Sequence, residues 1–406
     1  MEEVFIVAAK RTPIGGFLGN LSDFSAFQLG QIAINGALNE TSLTSRDIDS
    51  VYMGNLFSVN LDESSVGQTS ESSGISSKLN CIKIDKVCTS GMKAVMLGIE
   101  QIQSGIENIV ITGSTESMSN ISPSSLKRNK NKSEHTNLTD KLLNDQHINT
   151  YNDQDMGQLA ELYTRKYNLT LEDQNKFVHS CYAKARAASQ AGKFNKEIIP
   201  IKIKQKTGFV TISDDENSNQ IIPEKIDRFQ SVFEQNNIVR APDISNLNDG
   251  AAALILVSKK ALELHNLVPI AKILSYADTS KASEWLTTTP DIVIHKVLQQ
   301  AGLTLGKIDY FEINEPYAAG VLARQKRLGL NPEKINAYGG SIAAGHSICT
   351  SGAGIITTLI SVLTQEDGKY GVAAICSADG DASVIVIENL KRRWWSLCNY
   401  FKKSNY

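Results

Sequence analysis

The tetrapeptide Cys-Thr-Ser-Gly occurs twice, as Cys88-Thr89-Ser90-Gly91 and as Cys349-Thr350-Ser351-Gly352. A cysteine just ahead of a helix sits where backbone N–H groups and the helix dipole favour a thiolate, so its pKa is expected to fall from roughly 8.5 toward neutrality. Both cysteines meet that description, and their company separates them. Gly345-His346 lies just before the second copy, and Cys376 ends the strand that follows it. If the two regions pack about a pseudo-twofold axis, the two helix starts face each other and His346 comes toward Cys88 with Cys376 nearby. A nucleophile, a base and a second titratable thiol would then share one site, a set suited to catalysis through a covalent intermediate.

The elements that must position these residues repeat as well. After Cys88, Met92, Val95, Met96, Ile99 and Ile102 recur at helical spacing, and Asn108-Ile109-Val110-Ile111-Thr112-Gly113 reads as a buried strand. After Cys349, Ile355, Ile356, Leu359, Ile360 and Leu363 lead in the same way to the strand Gly371-Val372-Ala373-Ala374-Ile375-Cys376. Repeated helix-to-strand crossovers of this kind predict an α/β fold with mainly parallel sheets. Between the halves, residues 120–154 are rich in Asn, Lys and Ser, which predicts a surface excursion or disorder. Helical periodicity returns over Gly157 to Lys193. The expected division is an N-terminal half over 1–119 plus 246–270, an inserted, less regular loop domain over 120–245, a C-terminal half over 271–390 and a tail over 391–406.

At 406 residues the chain is long enough for two or three domains with a large core. A formal net charge of −2 provides no electrostatic footprint for nucleic acid, so a small-molecule substrate is expected. Six cysteines form no CxxC pair and no metal-type spacing, which reads as reduced thiols in a cytoplasmic setting and no metal site. A strand pattern begins at Val4, leaving no room for a leader peptide, and no apolar run is long enough to span a membrane.

Five ordered motifs carry a resemblance. Val87-Cys88-Thr89-Ser90-Gly91-Met92-Lys93-Ala94 resembles the nucleophile motif of the thiolases, and Asn248-Asp249-Gly250-Ala251-Ala252-Ala253 resembles another of that family's signatures. Asn314-Glu315-Pro316-Tyr317-Ala318 is similar to the family's Asn-Glu-Ala-Phe-Ala motif, Gly345-His346 to its Gly-His-Pro motif, and Cys376 to its C-terminal catalytic cysteine. The opening Lys10-Arg11-Thr12-Pro13-Ile14-Gly15 fits too, and the resemblance covers about residues 3–390.

The resemblance implies duplicated halves in a five-layered α-β-α-β-α arrangement with an inserted loop domain. It implies that Cys88, assisted by His346, takes the acyl group of a thioester, and that Cys376 removes the α-proton of a second acetyl-CoA. Asn314 would hold a water that, with His346, stabilises the enolate oxygen, and the backbone amides of Cys88 and Ala378 would form a second oxyanion hole. Ser245 would contact the pantetheine arm, and Met156 belongs to the expected substrate-binding set. Acetyl-CoA, acetoacetyl-CoA and coenzyme A are then substrates and products, with no separate cofactor, and the assembly is a homodimer or homotetramer.

Departures and rivals follow from the same residues. Ser347 replaces the family's proline, Asp155-Met156 its His-Met pair, and Ala378-Asp379-Gly380 its glycine run; an arginine often found after an Asp-Glu pair does not follow Asp215-Glu216. A positive φ at position 378 or 379 would strain an L-residue by about 1 kcal/mol or more. A ketoacyl synthase, which shares the fold, would want histidine where Cys376 stands; a degenerate thiolase that only binds acyl-CoA or acts as a scaffold is the other rival. In the tail, Trp394, Leu397, Cys398 and Phe401 fall on one helical face among basic residues. Docking on the protein's own surface or fraying in solvent is the first expectation there, and weak contact with an anionic membrane the alternative.

Overall fold

The computed structural model describes residues 2–57, 79–121, 148–149, 154–205, 208–220, 247–281, 288–345 and 350–391. His346, Ser347, Cys349, Ser245, most of 120–154 and the tail beyond Lys391 lie outside the described residues.

The strands are β1 (Val4–Arg11), β2 (Gly15–Gly16), β3 (Ser50–Gly54), β4 (Asn80–Ile84), β5 (Ile109–Glu116), β6 (Ile148–Asn149), β7 (Gln154–Asp155), β8 (Ile201–Gln205), β9 (Gly208–Ile212), β10 (Asn248–Ser258), β11 (Ala271–Ser280), β12 (Tyr310–Ile313), β13 (Tyr370–Cys376) and β14 (Asp381–Asn389). The helices are α1 (Ala26–Leu38), α2 (Ser90–Gln103), α3 (Met156–Lys166), α4 (Leu171–Gln190), α5 (Asn217–Gln220), α6 (Lys259–Leu264), α7 (Thr289–Gln300), α8 (Ala318–Leu328), α9 (Gly340–Ala344) and α10 (Thr350–Gln365).

The hydrogen-bonded path β4-β3-β5-β10-β1-β11-β14-β13-β12 joins the two halves in one sheet, with β2 paired to β10. Counted outward from the middle, β1, β10, β5 and β3 correspond to β11, β14, β13 and β12, which is the duplication expected from the repeated cysteine motif. The halves meet through a short antiparallel register, Phe5 with Lys272 and Ile6 with Ala271.

The expectation of mainly parallel strands is corrected. Among the strands of the described residues, only β3 with β4, β3 with β5 and β12 with β13 run parallel. The centre, β1 with β10, β10 with β5, β11 with β14 and β13 with β14, is antiparallel. The second unit shows why: the turn at Ser377–Gly380 sends β13 straight back into β14 without a crossover helix. Sequence pattern marks β10 as central, since Asn248–Ser258 is buried along its whole length and so cannot alternate.

Three apolar clusters divide the layers. α2 and α10 lie between the two halves of the sheet, where Met92, Val95, Ile356 and Leu359 pack with Leu254, Leu256, Ile375 and Ile385. α1 covers the outer face of the N-terminal half through Leu29, Ala33 and Ile34. α7 covers the outer face of the C-terminal half through Val293, Ile294 and Val297, joined by Val321 of α8. The order is α-β-α-β-α. The inserted region is more regular than its composition suggests: Thr170 caps the 20-residue α4 with a capping box, its hydroxyl accepting from the Asp173 N–H.

Candidate active site

The first motif forms a tight strand-to-helix turn. Thr89 and Ser90 donate backbone N–H bonds to Lys86 and Val87, and the Thr89 and Ser90 hydroxyls donate to the same two carbonyls. Val87 is held at φ 48°, a left-handed conformation that a β-branched residue rarely adopts. That strained residue immediately precedes Cys88 and sets the direction in which the thiol leaves the chain. Lys86 to Asp381 at 2.9 Å and Lys93 to Asp278 at 3.1 Å then tie the turn to the C-terminal half.

The two Cys-Thr-Ser-Gly copies do meet. A Cβ added to Gly352 would stand 2.4 Å from the backbone nitrogen of Met92, so the starts of α2 and α10 touch. Cys376, at the end of β13, is buried and close enough to Cys88 for the charges of the two thiols to be coupled. The backbone N–H of Ala378 points at the Cys88 sulfur, as does the N–H of Cys88 itself. Asn314, just past β12, clasps Cys376 on both sides of its peptide: its Oδ1 accepts from the Cys376 N–H at 2.9 Å and its Nδ2 donates to the Cys376 carbonyl at 3.3 Å.

The expected acidic Cys88 is not found among these contacts. Burial of the sulfur, with Cys376 and Asp379 adding repulsion, pushes the Cys88 thiol up to about 12 against the pull of the Ala378 N–H. Cys88 lies two residues ahead of α2, beside Phe57 and Met118, and there desolvation outweighs the helix dipole. The anticipated strain at 378 or 379 is also absent, because Gly380 carries the positive φ, 88°, of that turn.

The remaining motifs brace the site. Asn248 donates to the Gly15 carbonyl, and the Asp249 carboxylate accepts from the Ser119 N–H and hydroxyl. Gly345 takes φ 107° against Asn248, where a Cβ would stand 2.4 Å from Oδ1, so only glycine fits immediately before His346. Asp215 forms a two-pronged pair with the buried Arg11, and Glu216 accepts from the N–H groups of Gly16 and Asn20. The Asp-Glu pair therefore anchors the opening motif. Glu315 accepts from the Ile342 N–H and from Asn336, and joins β12 to α9.

Met156 opens α3; its side chain is outside the described residues. Sequence reasoning missed Arg324, which α8 carries into the interior, where its Nε lies 3.2 Å from Oδ1 of Asp291 and its charge favours the thiolate of Cys376. The signal was an arginine ending the small, apolar run Ala318-Ala319-Gly320-Val321-Leu322-Ala323. Among the described residues no group of three or more His, Cys, Asp or Glu side chains could hold a metal ion, and no helix is long and apolar enough to cross a membrane.

With this geometry in place, the likeness to known proteins is specific. The family models "Thiolase, N-terminal domain" and "Thiolase, C-terminal domain" match residues 4–260 and 267–389. The chain belongs to the thiolase family. It is 40% identical over 393 residues to the cytosolic acetyl-CoA acetyltransferase ERG10 of Gibberella zeae, covering 96% of this chain and 98% of that one. Acetyl-CoA acetyltransferase 2 of Arabidopsis thaliana is 40% identical over 394 residues, 96% of this chain and 97% of its own. This thiolase fold superposes on human mitochondrial 3-ketoacyl-CoA thiolase with a TM-score of 0.91 at 31% identity, covering 96% of this chain and 99% of that one. For the Acat5 thiolase of Ascaris suum in complex with coenzyme A the TM-score is 0.89 at 35% identity, covering 96% of this chain and 100% of that one.

Proposed function

We propose that this thiolase is an acetyl-CoA C-acetyltransferase, joining two acetyl-CoA to acetoacetyl-CoA and free coenzyme A, and running thiolysis in reverse. The observation that carries the reading is the meeting of Cys88 and Cys376 across the two halves, with the Ala378 N–H at the Cys88 sulfur. Cys88 attacks the thioester carbonyl and coenzyme A leaves. A thiol raised to about 12 needs a base to accept its proton, and His346 is assigned that role. The acyl oxygen is received by the N–H groups of Cys88 and Ala378. Cys376 then takes the α-proton of the second acetyl-CoA, and the carbanion attacks the acyl carbon, releasing Cys88. Asn314 positions Cys376, and an N–H of its amide is available to a water at the enolate oxygen.

Ser245 and Met156 are assigned to the coenzyme A side of the site, and the thioesters are substrates, with no further cofactor in the scheme. A homodimer or homotetramer in the cytoplasm, with the inserted 120–245 region as a loop domain, completes the proposal.

Mixing the protein with acetyl-CoA and mapping acetylation by mass spectrometry tests it. Acetylation at Cys88, lost in Cys88→Ala and kept within a few-fold in Cys349→Ala, is expected. Turnover of acetoacetyl-CoA against a longer 3-ketoacyl-CoA then settles the substrate class. A protein that is neither acetylated nor active in thiolysis ends the proposal and favours an acyl-CoA-binding scaffold.

A further inference from the structure

The turns that carry Cys88 and Ala378 come from opposite halves of the chain, and an ion pair joins them. Lys86 Nζ lies 2.9 Å from Oδ2 of Asp381, with Oδ2 of Asp278 at 3.5 Å. The side chain of Lys86 is 27% and that of Asp381 11% exposed, so water and salt screen the pair less than one on the open surface. Both ends are fixed to backbone. Lys86 donates its N–H to the Ser90 hydroxyl at 2.8 Å, and its carbonyl accepts from the Thr89 N–H at 3.1 Å and the Thr89 hydroxyl at 2.7 Å. It is therefore built into the turn that presents Cys88 two positions on. Asp381 opens β14, where its carbonyl accepts from the Ser377 N–H at 2.9 Å and so closes the turn that holds Ala378. Its carboxylate also accepts from the hydroxyl of Ser280, its register partner on β11. The other acid of that turn, Asp379, accepts from the Ser377 hydroxyl.

We propose that Lys86 and Asp381 are positioning residues for acyl transfer: their ion pair sets the gap between the N–H of Cys88 and the N–H of Ala378, which together receive the acyl oxygen. The role in acyl transfer rests on the acetyltransferase reading, whereas the tie between the turns rests on the ion pair itself. As the Cys88 sulfur bonds to the thioester carbon, the carbonyl electron pair moves onto oxygen, and it returns when coenzyme A leaves as its thiolate. Stabilising that transient charge requires both donors to be aimed beforehand. Two donors on one rigid element would need no tie. Here the chain between them runs through the inserted region and most of the C-terminal half, so their spacing depends on side chains that bridge the halves. Lys93 on α2 makes a second bridge, to Asp278 at 3.1 Å. Asp278 stands opposite Ser383, inside β14, so Lys93 holds the helix while Lys86 holds the turns.

The test uses the full chain and two readouts. Hydrogen exchange reads the tie: Lys86→Met, a change in the N-terminal half, should speed exchange of the peptide over 377–380 by about tenfold. Rapid-quench acetylation of Cys88 by acetyl-CoA reads the consequence. It should slow by about tenfold to a hundredfold in Lys86→Met and in Asp381→Asn, whereas alkylation of Cys88 by iodoacetamide, which needs no oxyanion donors, should stay within about twofold. The double variant should lose no more than either single one, because the two residues act as a unit. Lys86→Arg should restore part of the acetylation rate. Asp381→Asn, which keeps the shape of the side chain, carries the test if Lys86→Met does not fold, with exchange then read over 86–89. A merely structural pair would lower the urea midpoint and leave the ratio of acetylation to alkylation as in wild type. That result, or unchanged exchange in the opposite turn of a folded variant, overturns the proposal. Failure of the acetyltransferase reading would show separately, as wild-type protein that is never acetylated although exchange over 377–380 still depends on Lys86; the tie then stands and its role in acyl transfer falls with that reading.

Discussion

Cys88 and Cys376 carry similar chemistry in opposite electrostatic settings. Cys376 and Asp379 disfavour a thiolate at Cys88, whereas the charge of Arg324 favours one at Cys376. If a base must collect the Cys88 proton, acylation of wild-type protein should rise through the histidine range and level off. In His346→Ala it should keep rising tenfold per pH unit toward the thiol's own value of about 12. Rapid-quench acetylation across pH measures both, and identical profiles would remove the base role from His346. Cys376→Ser should still be acetylated at Cys88 and lose α-proton exchange, since a serine hydroxyl is far too weak an acid to furnish the base. Exchange at the wild-type rate would disprove it.

Elements are held in place by buried polar links, and these have measurable stabilities. Arg11 on β1 is buried and paired with Asp215 on one side and Glu197 on the other. Asp215→Ala strips the two-pronged partner and leaves a buried cation with one carboxylate, for which a loss of about 3 kcal/mol is expected in denaturant unfolding. A loss below about 1 kcal/mol would mean that the pair contributes little beyond the packing around it. Glu315, between β12 and α9, is raised to about 7, chiefly by burial. A carboxyl raised in the folded state holds its proton more tightly folded than unfolded, so its contribution is full below the ordinary value and declines as pH rises through about 7. The decline amounts to roughly 3 kcal/mol at about 1.4 kcal/mol per unit. Glu315→Gln should flatten the stability profile between pH 4.5 and 7, and an unchanged slope in urea unfolding across that range would contradict the assignment.

On the scale of the whole molecule, β4 is an edge strand with Asn80 and Lys83 exposed, and light scattering should give at least twice the chain mass; a mass of 44.3 kDa would refute the oligomer. Every described site residue lies upstream of the tail. Removing residues 391–406 should leave acetoacetyl-CoA thiolysis unchanged, and cosedimentation with phosphatidylserine vesicles, compared with and without the tail, decides its membrane contact. The duplication, the helices after each cysteine, the strands that follow them and the α/β class were legible in the chain, because each depends on spacing within a few residues. The Cys88, Asn314 and Cys376 motifs could also be picked out through their order, whereas His346 lies outside the described residues. Strand direction in the centre of the sheet was not, since a turn of four residues at Ser377–Gly380 reverses β13 into β14 without changing the apolar pattern of either strand. Nor was the electrostatics of the two thiols. Cys88 reads as an activated helix-start cysteine until Phe57, Met118 and Cys376 close around it. Arg324 belongs to none of the sequence motifs, and only the packing of α8 turns it inward against Asp291. A residue's type and spacing determine which element it joins, whereas its charge state depends on desolvation and on partners far away in the chain, and those exist only once the layers have packed.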